Sequence, residues 1–191
     1  MTDLFPEVVA CEDNDKRYST HELMAHAERI TGIPHNGWHL DVAADAESHW
    51  APRWYSAVEQ PGSLGVDGLK QPWFSPYVFE PYGSRWNVWA NVPFSDPRAW
   101  LEKAWREVDQ ACDWVQDPLL CMVLPSDRTD KDWWQNLVEP WRDGRDWARS
   151  CGLLLRTHHL PSRIRYGHPG NPTAKGVGQP MFGTTLLVWR R

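Results

Sequence analysis

The tetrapeptide Asn91-Val92-Pro93-Phe94 carries residue types that suit chemistry on an aromatic amino group. An adenine amino nitrogen is a poor nucleophile because its lone pair is delocalised into the ring, so a catalyst must hold both N–H bonds. The amide oxygen of Asn91 and the main-chain carbonyl of Val92 can each accept one of those hydrogens. Pro93 fixes the turn and keeps Val92 extended, and Phe94 offers a ring for base stacking. The alternative is a strand that simply ends in an asparagine and a proline.

The segments around this tetrapeptide predict an α/β fold. Apolar residues recur at helical spacing in some segments and form short β-type runs in others. Strands that alternate with helices indicate a sheet whose ligands gather at the carboxyl ends of the strands, where Asp41 and Asn91 are expected. Helices are predicted to begin at Ser19 or Thr20, at Asp96-Pro97, and at a capping box of Thr129 and Asp132; strands are predicted at 38–43, 87–90, 119–124, 153–159 and 184–189, and residues 51–85 are expected to be mostly loop.

Length and composition indicate one globular domain. The chain has 191 residues, 41% hydrophobic and 24% charged, which is ordinary for a soluble domain. No apolar run approaches the roughly 20 residues of a membrane-spanning helix, and the start is acidic where a signal peptide is basic and then apolar. We therefore expect a cytoplasmic protein with an acidic, loose arm at residues 1–17 and a single domain at residues 18–191.

Charge is divided unevenly along the chain. Residues 1–127 hold 9 Lys/Arg and 20 Asp/Glu, a net charge of −11, whereas residues 128–191 hold 11 and 5, a net charge of +6. A basic end on an acidic protein is a candidate surface for anions, most simply a phosphate backbone. The alternative is a solvated basic surface without a ligand.

A series of landmarks, in a fixed order from about residue 18 to residue 189, resembles the phage-type DNA N-6-adenine methyltransferases, a small Dam-like family often found in phages and prophages. The landmarks are Tyr18-Ser19-Thr20; His39-Leu40-Asp41-Val42-Ala43-Ala44 with Glu47; Asp67-Gly68-Leu69-Lys70-Gln71-Pro72-Trp73; Trp89-Ala90-Asn91-Val92-Pro93-Phe94-Ser95; Trp100-Leu101-Glu102-Lys103-Ala104; Leu124-Pro125 with Arg128-Thr129-Asp130 and Trp133; Ser162-Arg163-Ile164-Arg165-Tyr166; and Phe182-Gly183-Thr184-Thr185. The resemblance implies a Rossmann-like methyltransferase sheet with helices on both faces, S-adenosylmethionine as methyl donor, and double-stranded DNA as substrate in the cytoplasm of a host cell. It also suggests protection of phage DNA from restriction.

The resemblance implies a set of donor contacts. Asp41 matches the family's donor-binding strand and would hold the amino group of the methionine part, and Thr20 would make another donor contact. Glu47 or Asp45 would accept from the ribose hydroxyls, and Asp67 from the adenine amino group of the donor. The donor offers hydroxyls and amines, for which carboxylates are suitable acceptors. The alternatives are surface acids at Asp45 and Glu47 and a plain turn at Asp67.

The same resemblance assigns catalysis to Asn91, Val92, Pro93 and Phe94 in a direct methyl transfer that needs no metal ion. Arg128, Arg163 and Arg165 would neutralise DNA phosphates. The alternative for Arg163 and Arg165 is a charged edge strand that resists aggregation. Sequence selectivity would come from loops at residues 50–86 and 160–180, and no obligate protein partner is evident.

Two departures from the family pattern leave other functions open. The family usually has Asn-Pro-Pro-Tyr where this chain has Asn91-Val92-Pro93-Phe94, and an aliphatic second residue is similar to adenine dimethyltransferases of ribosomal RNA. No glycine-rich turn follows the first predicted strand, where the chain has Ala43-Ala44-Asp45. The alternatives are a catalytically impaired, methyltransferase-like DNA-binding or anti-defence protein, and an RNA adenine methyltransferase.

Overall fold

The computed structural model describes residues 17–75, 85–111, 113, 115, 117–145, 152–176 and 178–191. Most of the predicted N-terminal arm, residues 1–16, lies outside the described residues. The elements in the described part are α1 (His21–Thr31), β1 (Leu40–Ala44), β2 (Arg53–Ser56), β3 (Gly65–Val66), β4 (Arg85–Ala90), α2 (Pro97–Ala111), β5 (Asp117–Pro125), α3 (Asp132–Leu137), β6 (Leu154–His159) and β7 (Thr184–Arg190).

The seven described strands form one mixed sheet in the order β3-β2-β1-β4-β5-β7-β6. Strands β1 to β5 pair in parallel, whereas β7 is antiparallel to both of its neighbours, β5 and β6. The order β3-β2-β1-β4-β5 is that of a doubly wound, Rossmann-like sheet, in which the winding direction reverses between β1 and β4. That reversal opens a crevice at the carboxyl ends of these two strands, which is where ligands bind in such sheets.

The helices cover both faces of the sheet, and the predicted α/β fold is confirmed. In strand β5, successive side chains point to opposite faces of the sheet, so the strand contributes to the core on both faces. Leu120 and Met122 pack in the core beneath α2 and α3, and Cys121 and Val123 pack in the core beneath α1. The predicted nearly continuous apolar strand at 119–124 therefore lies where a strand buried on both faces is expected.

The predicted helices exist. Asp96 caps α2 as predicted, because its carboxylate accepts from the Ala99 N–H at 3.4 Å, whereas the caps of the other two helices differ from prediction. Thr20 is the N-cap of α1 without a capping side chain, since its hydroxyl donates to the Arg165 carbonyl at 3.0 Å. The capping box predicted at Thr129 and Asp132 is wrong: α3 begins at Asp132 after Lys131, which makes no side-chain cap. Thr129 lies in the turn before the helix, and its carbonyl accepts from the Gln135 side chain.

Residues 51–75 are mostly loop, as expected, but they also contain the two short strands β2 and β3. The frequent proline and glycine residues of this region favour turns, and they interrupt the alternating pattern by which such short strands are recognised in a sequence. Pro52 stands just before β2, where its missing N–H does not interrupt the ladder, and the buried Trp54 and Tyr55 supply the strand-forming side chains. Pro76 and Pro81 lie outside the described residues. Across the described residues, no helix has the length and apolarity that crossing a membrane requires.

Candidate functional site

Asp41 lies on β1, Asn91 directly follows the neighbouring strand β4, and both lie on the same face of the sheet. Asp41 pairs with Trp89, and the alternation of side chains along β4 places Trp89 and Asn91 on the α1 side. The expectation that Asp41 ends its strand is wrong, since β1 begins later than predicted and continues to Ala44. The reason is that Asp41 pairs with Trp54 of β2 and with Trp89 of β4, so it lies inside the ladder and not at its end.

The carboxyl group of Asp41 is buried, with 2% of its surface exposed. Its oxygens accept hydrogen bonds from the backbone N–H of Trp50 at 3.2 Å and of Ala43 at 3.4 Å. Burial raises the pKa of Asp41 to about 7, and the two N–H donors oppose that rise. Because no described Lys or Arg forms an ion pair with it, this carboxyl would gain most from a cationic ligand that favours its ionised form.

A short N-terminal segment, Arg17–Thr20, crosses the ends of both strands. Its Ser19 hydroxyl accepts from the indole N–H of Trp89 at 3.0 Å, and its Ser19 carbonyl accepts from the indole N–H of Trp50 at 2.9 Å. The Arg17 carbonyl accepts from the amide nitrogen of Asn91 at 2.5 Å. The segment thus ties the residue after β4 to the loop that holds the Asp41 carboxyl.

The side-chain oxygen of Asn91 is buried and has no hydrogen-bond partner. The hydrogen bond to the Arg17 carbonyl uses the Nδ2 end of the amide, so the Oδ1 end is the one without a donor. A buried acceptor without a donor costs free energy, and native structures carry few of them. The site therefore presents an oxygen that an incoming N–H group would satisfy.

Phe94 packs in an aromatic cluster with Tyr166 and Phe182, with ring centroids 5.7 Å from each and edge-to-face geometry. The guanidinium carbon of Arg17 lies 5.2 Å from the centre of the Phe94 ring and 5.3 Å from that of Phe182. The neighbouring Val92 side chain is buried in the core beneath α2. A base that stacks on Phe94 would therefore compete with Arg17 for the ring.

Two cavities open beside the segment Arg17–Thr20. The smaller cavity, of 250 Å³, is lined by Thr20, Trp50 and Thr173 and by the turn that contains Glu47. The larger, of 750 Å³, is lined by basic side chains including Arg165 as well as by Thr20 and Thr173. Because they share Thr20 and Thr173, the two cavities adjoin and join the predicted donor-contact region to the basic end of the chain.

The other predicted donor contacts divide between the cavity wall and the turns around it. Glu47 lines the smaller cavity, and its carboxylate accepts from the Gly170 N–H at 3.1 Å. Asp45 does not line either cavity; its carboxylate accepts from the side chain of Gln60 at 3.1 Å and from the backbone N–H of Glu47 at 3.2 Å. Asp45 therefore stabilises its own turn and the neighbouring Gln60 side chain.

Asp67 follows β3 and adopts a left-handed φ of 62° in a tight turn. Its carboxylate forms an ion pair with Lys70 at 2.9 Å and accepts from the Leu69 N–H at 3.2 Å. The next residue, Gly68, packs so closely on β1 that an added Cβ would lie 2.0 Å from the Val42 carbonyl oxygen. The turn at Asp67 is real, and it is pressed against the strand that carries Asp41.

The three predicted DNA-contacting arginines are exposed. Arg128 forms an ion pair with Asp127 at 3.5 Å, and Arg165 lines the larger cavity. The alternative of a charged edge strand for Arg163 and Arg165 is wrong, because both lie in the connection between β6 and β7, where the described residues 160–176 and 178–183 belong to none of the sheet's strands. Ile164 between them is fully buried, so it anchors this connection while both arginines face solvent.

Sequence reasoning missed Arg17 and Trp50 as parts of this region. Trp50 is one of 14 tryptophans and lies in no recognised motif, and Arg17 was assigned to the arm. Their roles depend on contacts between residues far apart in the chain, which no local pattern encodes. Comparison with protein-family models and with curated proteins finds no match to this chain.

Proposed function

We propose that this chain is an S-adenosylmethionine-dependent methyltransferase that methylates the N-6 amino group of adenine in DNA. The observation that carries the proposal is the buried Oδ1 of Asn91, which has no hydrogen-bond partner and whose amide is oriented by the Arg17 carbonyl. It lies just after β4, at the reversal of strand order where doubly wound sheets bind ligands. An exocyclic amino group supplies the donor that this oxygen lacks.

The residues of the adjoining cavity fit the proposed methyl donor, which would supply a methyl group on a positively charged sulfur. Thr20 and Glu47 line the cavity with oxygen atoms suited to hydroxyl and amino groups. Asp41 lies behind the cavity wall through its bond to Trp50, and its carboxyl would ionise against an ammonium group. Asp67 would contribute the carboxylate that currently pairs with Lys70.

The residues after β4 would position the target base. Asn91 would accept one N–H bond through its side chain, the Val92 carbonyl would accept the other, and Phe94 would stack on the base. The Asn91 oxygen is buried, so the residues that cover it must move before a base can reach it. Among the described residues, Arg17 lies over the ring of Phe94 at this place. Catalysis would come from positioning a nitrogen with both hydrogens held, without a metal ion or a covalent enzyme intermediate.

The proposed DNA surface is the basic C-terminal part of the chain. Arg128, Arg163 and Arg165 are exposed, and Arg165 borders the larger cavity, which adjoins the proposed donor region. Their charges would neutralise phosphates, so affinity for DNA would fall as salt concentration rises. Contacts to phosphates carry no sequence information, so sequence selectivity must come from contacts to the bases.

The proposal is tested by tritiated methyl transfer from S-adenosylmethionine to adenine-unmethylated duplex DNA, with Asn91→Ala protein assayed in parallel. We expect label in N-6-methyladenine with wild type and none with the variant, which should still bind donor in calorimetry. Equal activity of the variant would refute the role of Asn91. Preferred labelling of RNA over DNA would establish the RNA adenine methyltransferase instead.

A second candidate is a methyltransferase-like DNA-binding or anti-defence protein without turnover. The observation that favours it is the contact between Arg17 and Phe94, which occupies the ring proposed to receive the base. Val92 in place of the family's proline points the same way. Donor and DNA binding without transfer would establish this candidate, and restored transfer in Val92→Pro protein would locate the defect in the tetrapeptide.

A further inference from the structure

Helix α2 carries a buried ion pair, between Lys103 and Glu107, whose side chains are 10% and 5% exposed. The Lys103 Nζ and Glu107 Oε1 atoms are 2.5 Å apart, one helical turn from each other. Burying two charges costs several kcal/mol of desolvation unless further hydrogen bonds satisfy them. The amphipathic pattern of α2 does not require charges on its inner face, so the additional hydrogen bonds of the pair are informative.

Those additional bonds reach a distant loop. The second oxygen of Glu107, Oε2, accepts from the backbone N–H of Trp73 at 2.8 Å and from that of Phe74 at 3.1 Å. Lys103 Nζ lies 5.9 Å from the centre of the Trp73 ring. A carboxylate bonds to two N–H groups more strongly than a neutral acceptor does, and Lys103 places the opposite charge beside it inside the core.

The loop held by Glu107 leads back to the candidate site. The fully buried Trp73 donates its indole N–H to the Gly68 carbonyl at 2.8 Å. Gly68 packs against the Val42 carbonyl in β1, and the Asp67 N–H donates to the Ser56 carbonyl at 2.7 Å. The loop from Asp67 to Phe74 is therefore clamped between α2 on one side and the carboxyl ends of β1 and β2 on the other.

We propose that Glu107 is a positioning residue for the methyl-donor site: it fixes the loop 67–74 and thereby places Asp67 at the end of β2, next to the contact of Gly68 with β1. This inference rests on the proposed function because it takes Asp67 as a donor contact. Glu107 itself does not touch the cavities lined by Thr20. Its effect on donor binding passes through Trp73 and Gly68.

The test must remove the hydrogen bonds to the loop without leaving a lone charge in the core. Lys103→Met/Glu107→Gln keeps one neutral acceptor oxygen, and Lys103→Met/Glu107→Leu removes the acceptor while preserving volume. Glu102→Gln is the matched control, because Glu102 lies on the exposed face of α2 and pairs with Arg98 at 3.8 Å. Donor affinity is measured by calorimetry, DNA affinity by anisotropy, and mobility of the loop by amide hydrogen exchange.

We expect the Glu107→Leu double variant to bind S-adenosylmethionine about tenfold more weakly, which is a change of 1.4 kcal/mol. Exchange should accelerate at Trp73, at Phe74 and at the amides back to Gly68, while exchange in β5 and β7 and affinity for DNA stay unchanged. The Glu107→Gln double variant should be intermediate, and Glu102→Gln should bind donor like wild type. This graded effect on donor alone distinguishes positioning from a general loss of structure.

Two results would overturn the inference. Faster exchange in the loop with unchanged donor affinity would show that the loop is dispensable for donor binding, and unchanged exchange would show that Glu107 does not hold it. If the wild-type protein binds no donor, the proposed function fails, and so does the donor-positioning role. The exchange measurement then decides separately whether Glu107 clamps the loop.

Discussion

Strand β4 and the residue after it carry two buried asparagines, Asn87 near one end and Asn91 at the other. In both, the amide nitrogen donates to a backbone carbonyl, of Gly37 at 2.8 Å and of Arg17 at 2.5 Å. In both, the side-chain oxygen is buried without a hydrogen-bond partner. By side-chain type, burial and bonding the two residues are therefore nearly equivalent.

Their surroundings differ. Near Asn87, His39 stacks on Trp86 at 4.7 Å between ring centroids and accepts from the Asn87 N–H at 3.0 Å, which makes a packed polar contact. Near Asn91, the segment Arg17–Thr20 leads to two cavities and to the buried carboxyl of Asp41. An unpartnered oxygen thus indicates a site only where the fold also brings a cavity and ionisable groups to the same end of the sheet.

The largest effect expected from this comparison is the loss of turnover when only one of the two asparagines is removed. Asn91→Ala should lower kcat for methyl transfer by about 10²-fold or more, because the amino nitrogen loses one of its two acceptors in the transition state. Asn87→Ala should leave kcat unchanged and lower the free energy of unfolding by about 1 kcal/mol, because the Gly37 carbonyl loses its donor. Steady-state kinetics and urea denaturation measure the two quantities.

Equal loss of turnover in both variants would mean that β4 is damaged as a whole and that the ends of the strand are not functionally distinct. Unchanged turnover in both would remove the assignment of Asn91. Donor affinity serves as the check on folding, since neither side chain is proposed to contact the donor.

A second difference between the Asn91 end and the Asn87 end of β4 is the titration of Asp41, which pairs with Trp89 near the Asn91 end. Burial raises its pKa to about 7, so the carboxyl is mostly neutral at pH 6 and mostly ionised at pH 8. If the ionised form holds the ammonium group of the donor, wild-type affinity for S-adenosylmethionine should rise about fivefold from pH 6 to pH 7, a range in which the donor's own amino group stays mostly charged. Asp41→Asn protein should bind donor weakly without that rise, as calorimetry at each pH would reveal.

The same group predicts a dependence of stability on pH. The folded-state pKa lies above the unfolded value near 3.8, so between pH 4 and pH 7 the folded state binds more protons than the unfolded state. The free energy of unfolding should therefore fall as pH rises through this window, by roughly 4 kcal/mol at most. Asp41→Asn protein should lose that decline and be more stable than wild type at pH 8. Parallel stability curves for the two proteins would contradict the assignment.

The fold was largely predictable from local patterns, and its errors have local causes. The apolar run at 119–124 and the proline at the first turn of α2 were decisive because hydrophobic burial and a fixed φ act at short range. Strands β2 and β3 were missed because two to four residues carry too little periodicity between prolines and glycines. The Thr129 cap was misassigned because a turn and a cap use the same residue types.

The candidate site was predictable only where strand ends mark it. Asp41 and Asn91 were both expected at the carboxyl ends of strands. Asn91 directly follows β4, and Asp41 pairs with Trp89, two residues before it, although Asp41 itself lies within β1. The segment Arg17–Thr20 and the bond from Glu107 to Trp73 were not predictable, since each joins residues that are more than 30 positions apart. Burial adds to the difficulty, because a sequence does not show which polar atoms are buried without a hydrogen-bond partner.

The smallest expected effect is on DNA affinity. The test compares arginines of the basic C-terminal part of the chain with Arg85, which lies at the Asn87 end of β4. Each of Arg163→Gln and Arg165→Gln should reduce the slope of log affinity against log salt concentration by about 1, if each side chain neutralises one phosphate. Arg85→Gln is the control, because Arg85 begins β4 at its amino end and pairs with Asp117 at 2.7 Å. Anisotropy titrations of a labelled duplex at several salt concentrations measure the slopes. A change for Arg85 equal to that for Arg165 would mean that DNA responds to net charge alone, and the basic connection between β6 and β7 would lose its assignment as the DNA surface.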